Sequence, residues 1–203
     1  MLRQTIKNLR NTISNKTSVC ADVLGYASHS VDVQWIASSL RACAAEGMKV
    51  AFAYSQGQPP DTFLKECTET GIAIFEGVDL DLIQISNNPA VLTASSGLEK
   101  EFFSKKYCKW RIHMPHSISS LHAIYPQDAF DGYNVLFAVG PHHTKEYEAL
   151  SKKHGLSDRI SMPCGYGKLG ALYQLIKENK APVDIENPHI LIAPSWGQGN
   201  IIE

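Results

Sequence analysis

The chain has 203 residues, 44% of them hydrophobic, with 19 Lys plus Arg against 20 Asp plus Glu for a formal net charge of -1. That balance excludes a disordered polar segment and a basic nucleic-acid binder. A single α/β domain of this size buries roughly 70% of the surface its unfolded chain exposes. No apolar run reaches the roughly 18 residues needed to span a bilayer, and no apolar block follows the basic residues at the start. The five cysteines, Cys20, Cys43, Cys67, Cys108 and Cys164, are odd in number and widely spaced. They form neither a disulfide framework nor a zinc ribbon, and point to a reducing, cytoplasmic setting.

In chain order, Leu2, Ile6, Leu9 and Ile13 fall on one helical stripe beside Arg3, Lys7 and Arg10. Residues 1–17 are thus suited to peripheral contact with an anionic membrane surface, or to packing the stripe on protein. Ser18 to Leu24 reads as a first strand, Gly25 to Ser30 as its loop, and Val31 to Glu46 as an amphipathic helix ended by Gly47. Met48 to Tyr54 is a strand, Pro60 to Thr70 a helix and Ile72 to Phe75 a strand. Leu80 to Ile85 and Ala90 to Thr93 are short strands around a turn at Asn87–Pro89. Gly97 to Lys106 is helical, Lys109 to Met114 a strand, and Asn134 to Val139 the cleanest strand. Thr144 to His154 reads as a helix capped by Thr144, Arg159 to Met162 as a short strand, and Leu169 to Asn179 as a helix. Strands alternating with helices predict a doubly wound, mostly parallel sheet, a Rossmann-like α/β domain over 1–182. Val183 to Glu186 reads as a linker, and Ile190 to Ala193 as the first strand of a truncated C-terminal domain within 183–203.

In such a sheet ligands sit beyond the carboxyl ends of the strands. That rule selects five loops: Gly25 to Ser30, Ser95 to Gly97, His113 to Ser120, Gly140 to His143 and Pro163 to Gly167. His116, stiffened by Pro115 and followed by Ser117, Ser119 and Ser120, is placed to accept a proton from a hydroxyl or to counter a phosphate; a helix cap at Ser117 or Ser119 is the plainer alternative. His29 and His142 share the strand-end position. His113, His116, His142 and His143 lack zinc-ligand spacing, so no metal is expected. Cys164-Gly-Tyr-Gly-Lys lacks the spacing of a P-loop or dinucleotide fingerprint, so no cofactor is expected.

Four segments in order carry a resemblance: Trp110-Arg-Ile-His-Met-Pro-His-Ser-Ile-Ser119, Tyr133 to His142, Pro163-Cys-Gly-Tyr-Gly-Lys-Leu169, and Ile190-Leu-Ile-Ala-Pro-Ser-Trp-Gly197. Together, over roughly Lys109 to Glu203, they resemble the CDP-glycerol glycerophosphotransferase family of wall teichoic acid and capsule synthesis. The resemblance implies a two-domain transferase of glycosyltransferase-B type with its active site between the domains. It maps the family's N-terminal catalytic histidine onto His116, and this chain carries Ser117 where the family commonly has glycine. His29, Ser96, Ser117 and His142 are then the expected acceptor-binding residues. The donor, CDP-glycerol or a similar nucleotide-activated group, would be held by the domain beyond this chain. The acceptor would be a hydroxyl of a cell-surface polymer or lipid-linked molecule, and no nucleic acid is involved. A sugar-nucleotide glycosyltransferase or epimerase of the same architecture, or a binding domain without catalysis, are the competing readings.

Overall fold

Seven of the apolar runs pair side by side, all parallel, and each is too short to bury both faces without help from helices. In the computed structural model, which describes residues 17–76, 83–86, 89–96 and 108–179, the strands are β2 (Val23–His29), β3 (Val50–Gln56), β4 (Ala73–Glu76), β6 (Ala90–Thr93), β7 (Trp110–His113), β8 (Val135–Ala138) and β9 (Ile160–Pro163). Their order across the sheet is β4-β3-β2-β6-β7-β8-β9. The remaining strands, β1 (Thr17–Cys20) and β5 (Ile83–Ser86), pair with each other in a separate two-stranded sheet. The helices are α1 (Val33–Ala45), α2 (Asp61–Thr70), the single turn α3 (Leu121–Ile124), α4 (Pro141–Lys153) and α5 (Gly167–Asn179). This is a doubly wound, Rossmann-like α/β fold. The expected N-terminal stripe, the helix over 97–106 and the linker and strand of 183–203 lie outside the described residues, as does the expected boundary at 182.

The two faces of the sheet separate by the alternation of side chains along each strand. Val23, Ala27, Phe52, Tyr54 and Leu92 pack with Ile36 and Leu40 of α1 and Phe63 of α2 in one core cluster. Leu24, Tyr26, Ala51, Ala53 and Val91 face the other way. On that second side Leu136 and Ala138 meet Tyr147 of α4, together with Leu121, Phe130 and Tyr133. Burying a side chain such as Leu40 or Leu136, both 0% exposed, contributes about 2 kcal/mol of transfer free energy each.

Three local expectations change. The segment Gly25 to His29, read as a loop, is the carboxyl half of β2, paired with both β3 and β6. Gly25 is there because α1 lies close: a methyl group on it would meet Leu40 Cδ1 at 2.5 Å. Its role is helix–strand approach and not a turn. The expected first strand also divides: Ser18 to Leu24 is split between β1, which begins at Thr17, and β2, which begins at Val23, with the Asp22 and Val23 amides donating to the Lys49 carbonyl. Finally, α4 begins at Pro141 with Gly140 as its N-cap. Proline presets the dihedral of a first helical residue and gives up an amide that has no partner there. Thr144 is therefore inside the helix, its Oγ1 2.9 Å from Ser161 Oγ of β9.

Residues Met1–Tyr166 and Gly167–Glu203 form two separate compact units by their internal contacts. The second includes α5, whose Leu169, Leu172, Tyr173, Leu175 and Ile176 are all exposed. Among the described residues no helix is long and apolar enough to cross a membrane.

Candidate functional site

The chain leaves β2 toward β3 and β4 on one side, then returns to β6 on the other side of β2. The two strands diverge in their onward connections at that point, which is the topological switch point where doubly wound sheets take ligands. Three polar side chains meet there. Ser28 Oγ of β2 lies 2.7 Å from Ser95 Oγ, just after β6. Asp32, in the turn between β2 and α1, accepts at Oδ2 from Ser28 Oγ at 3.3 Å and from Ser95 Oγ at 3.0 Å. The backbone beneath is pinned by further bonds. Ser55 Oγ donates to the Ser28 carbonyl at 3.0 Å, the Ser95 amide to Thr93 Oγ1 at 3.1 Å, and the buried Tyr133 hydroxyl to the Ser95 carbonyl. Burial holds the Tyr133 phenol well above its usual value, and the Asp32 charge pushes in the same direction.

His116 sits one strand over, in the loop after β7. Its Nδ1 lies 3.4 Å from the Ala94 carbonyl, which can only accept, so in the neutral ring Nδ1 carries the proton. Nε2 is then the lone-pair nitrogen, 3.1 Å from the Tyr125 hydroxyl. Trp35, one turn into α1 from Asp32, has its ring centroid 6.1 Å from that of His116 and stacks on Tyr166 at 6.0 Å. The Tyr166 hydroxyl donates to the His116 carbonyl at 3.1 Å, and Gly165 at φ 71° makes the turn that brings Tyr166 back after β9. Thus α1 and the loops after β6, β7 and β9 each contribute to the surroundings of one half-buried imidazole.

The loop holding His116 is clamped from the next strand connection. His142 Nε2–H, in the first turn of α4, donates to the Ile118 carbonyl at 2.9 Å, and His143 Nε2–H to the Ser119 carbonyl at 2.8 Å. His143 is 0% exposed, and burial holds its imidazole below the usual value. Ser117 folds onto its own loop, its Oγ donating to Ser119 Oγ at 2.8 Å and accepting from the Ser119 amide at 3.0 Å.

Beneath this layer His113 ends β7. It is 1% exposed, neither ring nitrogen has a hydrogen-bond partner among the described residues, and its ring packs between Phe130 and Tyr133 at centroid distances of 5.0 and 4.9 Å. Burial pushes this imidazole down to about 3; the nearby His116 adds to the shift and the Ser95 backbone opposes it. His113 is therefore neutral throughout the physiological range.

All five residues singled out from sequence lie at the carboxyl edge: His29 at the end of β2, Ser96 after β6, His116 and Ser117 after β7, His142 after β8. Of these, His29, Ser96 and His142 are exposed. The hydrogen bonds that join the strands across the switch point are made by their neighbours Ser28 and Ser95, together with Asp32, which sequence reading passed over. Strand alternation was the available signal: consecutive residues point to opposite sides, so choosing His29 and Ser96 missed the partners by one position. Tyr125 and Trp35 had no local signal, whereas Tyr166 lies in the Pro163 to Gly167 loop that the strand-end rule selects.

A cavity of about 420 Å3 opens on the opposite, amino edge, lined by Lys109, Trp110, Asn134, Asp158, Arg159 and Ile160. Its main polar groups are occupied internally. Asn134 accepts from the Arg111 amide at 2.7 Å and donates to the Lys109 carbonyl at 2.8 Å. Arg159 donates to the Phe130 and Asp131 carbonyls, both at 2.7 Å. Among the described residues no group of three His, Cys, Asp or Glu could hold a metal ion. No family model, no curated protein and no solved structure matches the chain. The chemistry of the carboxyl edge therefore carries the functional reading.

Proposed function

We propose that this chain is the acceptor-side domain of a phosphotransferase that moves glycerol phosphate, or a related polyol or sugar phosphate, from a CDP-activated donor to a hydroxyl. The observation that supports it most is His116, half-buried at the end of β7, with Nδ1 tied to the Ala94 carbonyl and the Nε2 lone pair turned to a hydroxyl, that of Tyr125. An acceptor hydroxyl replacing Tyr125 at Nε2 would be within the roughly 3 Å that proton transfer requires. His116 takes the proton as the acceptor oxygen attacks the phosphorus that bears the glycerol. The new P–O bond forms in line with the breaking one, and CMP departs with the electron pair. His29, Ser96, Ser117 and His142 surround the acceptor half of the cleft in this reading, and His142 also holds the His116 loop in place. The ordered motif resemblance over roughly Lys109 to Glu203 supports the donor chemistry. In this reading the donor itself is held by a second domain. The work takes place on the cytoplasmic side, with residues 1–17 resting on the membrane that carries a lipid-linked acceptor.

In the two-domain enzyme His116→Ala is expected to cut turnover by about 10²-fold or more with the fold intact, as loss of a general base does. The test is CMP release from CDP-glycerol alongside a thermal unfolding curve. A near-wild-type rate overturns the assignment.

A further inference from the structure

We propose that Asp32, carried on the hydroxyls of Ser28 and Ser95, is a recognition site for adjacent hydroxyl groups of a sugar or polyol. Asp32 is half-buried at the switch point and uses one carboxylate oxygen, Oδ2, for both serines. Among the described residues Oδ1 takes no hydrogen bond and no cation pairs with Asp32. A carboxylate without a counter-cation repels phosphate and other anions but accepts strongly from alcohols. The serines complete the match, because with their protons given to Oδ2 their oxygens are left as acceptors for alcohol hydroxyls. A ligand hydroxyl that donates to Oδ1 lies near a second acceptor, Ser95 Oγ, whose own proton goes to Oδ2 of the same carboxylate at 3.0 Å. Adjacent hydroxyls on neighbouring carbons suit that spacing, and a lone alcohol uses half of it.

Two further features mark the same place. Trp35 stands one helical turn from Asp32 and supplies an apolar ring beside His116, the kind of surface on which the C–H face of a polyol rests. His113 is buried with both ring nitrogens unpartnered among the described residues; besides its burial, His116, the Ser95 backbone and His143 act on it. Native structures rarely leave such atoms unpaired, and sites that take a ligand or water are where they do. A metal ion fits poorly, since Asp32 is a single carboxylate without other charged ligands.

In the transferase reading the bound polyol is the acceptor, and Asp32 fixes which acceptors are taken; that identification rests on the proposed function, while the binding chemistry does not. The full chain is titrated with glycerol, methyl α-glucoside and inorganic phosphate, following the amide resonances of Ser28, Asp32 and Ser95. The two polyhydroxylated probes are expected to shift these resonances saturably, and phosphate is not. Asp32→Asn, close in shape and still able to accept from the serines, is expected to weaken polyol binding at least tenfold, and Ser95→Ala by a similar factor. Absence of saturable shifts with either polyol, unchanged affinity in a folded Asp32→Asn protein, or phosphate binding as well as glycerol each overturns the proposal. CMP release by the two-domain enzyme separates the two ideas. Polyol binding through Asp32 without CMP release keeps this site and removes the transferase. CMP release by Asp32→Asn with an unchanged acceptor KM keeps the transferase and removes this site.

Discussion

Arg111 and His113 occupy the same face of the same short strand, two residues apart, and are treated in opposite ways. Arg111 is 8% exposed, yet its Nε donates to the Gly132 carbonyl at 2.6 Å, its Nη1 to the Cys108 carbonyl at 3.3 Å, and its amide to Asn134. Burial lowers its guanidinium below the usual value, and among the described residues no carboxylate offsets that cost; carbonyl oxygens do so instead. His113, at the carboxyl end, is more deeply buried, and neither of its ring nitrogens has a hydrogen-bond partner among the described residues. The amino half of β7 is thus a satisfied structural platform. Together with Arg159 it fixes the 128–134 turn that carries Phe130 and Tyr133. The carboxyl half keeps polar groups that the protein itself does not use, and there the switch-point cluster sits.

The largest effect that tests this contrast is on stability. Arg111→Met keeps most of the apolar stem but leaves the Gly132 and Cys108 carbonyls buried without donors. At about 1–3 kcal/mol for each unsatisfied group, the loss should be about 3 kcal/mol. His113→Leu removes no hydrogen bond and should change stability by about 1 kcal/mol or less in either direction. Urea unfolding of the two variants decides the matter. Equal losses would mean that His113 has a hidden structural partner, and the contrast between the ends of β7 would disappear.

The next effect is the response to acid. His113 is held down to about 3 in the native state, against about 6.5 in the unfolded chain. Its contribution is thus complete above about pH 6.5 and is lost as the pH falls toward 3, because only the unfolded chain takes up the proton. The slope approaches about 1.4 kcal/mol per pH unit for one such group. His143, also lowered by burial, acts in the same direction. Unfolding midpoints measured from pH 7 to pH 4 should fall steeply for the wild-type chain and less steeply for His113→Leu. Identical slopes would show that His113 takes its proton without leaving the core.

How far the sequence reveals this arrangement depends on whether the signal is local. Ala90 to Thr93, the helix through Leu40 and the strand through Leu136 follow from the spacing of their own apolar residues, and the doubly wound order follows from their alternation. Gly25 defeated that reading. A glycine inside a strand and a glycine in a loop look alike until the helix that needs the room, through Leu40, is in place. The switch-point cluster was harder still. Ser28 and Ser95 are 67 positions apart, and neither differs by composition from a surface serine. Only the sheet order, with β6 returning beside β2, brings them within 2.7 Å. The buried arginine was invisible for the same reason, since its acceptors are carbonyls that carry no sequence signature.

A smaller effect concerns the clamp on the His116 loop. His142 is exposed and makes a hydrogen bond to the Ile118 carbonyl, so His142→Ala should cost about 1 kcal/mol. His143→Ala, which also empties a fully buried position, should cost more, about 2–3 kcal/mol. Hydrogen exchange at the Ile118 and Ser119 amides should rise in both variants and stay unchanged at Leu136. Protection that falls uniformly across β8 would show that the pair supports the core as a whole and not the loop.

The smallest effect bears most directly on the chemistry of the carboxyl edge. The Tyr125 hydroxyl is the only group other than a ligand that the geometry places at His116 Nε2 among the described residues. Its ring meets Phe130 edge-on at 5.2 Å, so Tyr125→Phe preserves the packing and removes one partly exposed hydrogen bond, at about 0.5–1 kcal/mol. The informative readout is the imidazole itself. With the Ala94 carbonyl accepting from Nδ1–H, the neutral His116 ring should be the Nδ1–H tautomer, and 15N resonances of a histidine-labelled chain report which nitrogen is protonated. Tyr125→Phe removes the donor that favours the Nε2 lone pair and should raise the share of the Nε2–H form. Should Nε2–H already dominate in the wild-type chain, Tyr125 would be accepting a proton from His116. The nitrogen that faces the site would then have no lone pair for an incoming hydroxyl, and His116 would be a loop-holding residue like His142 next to it.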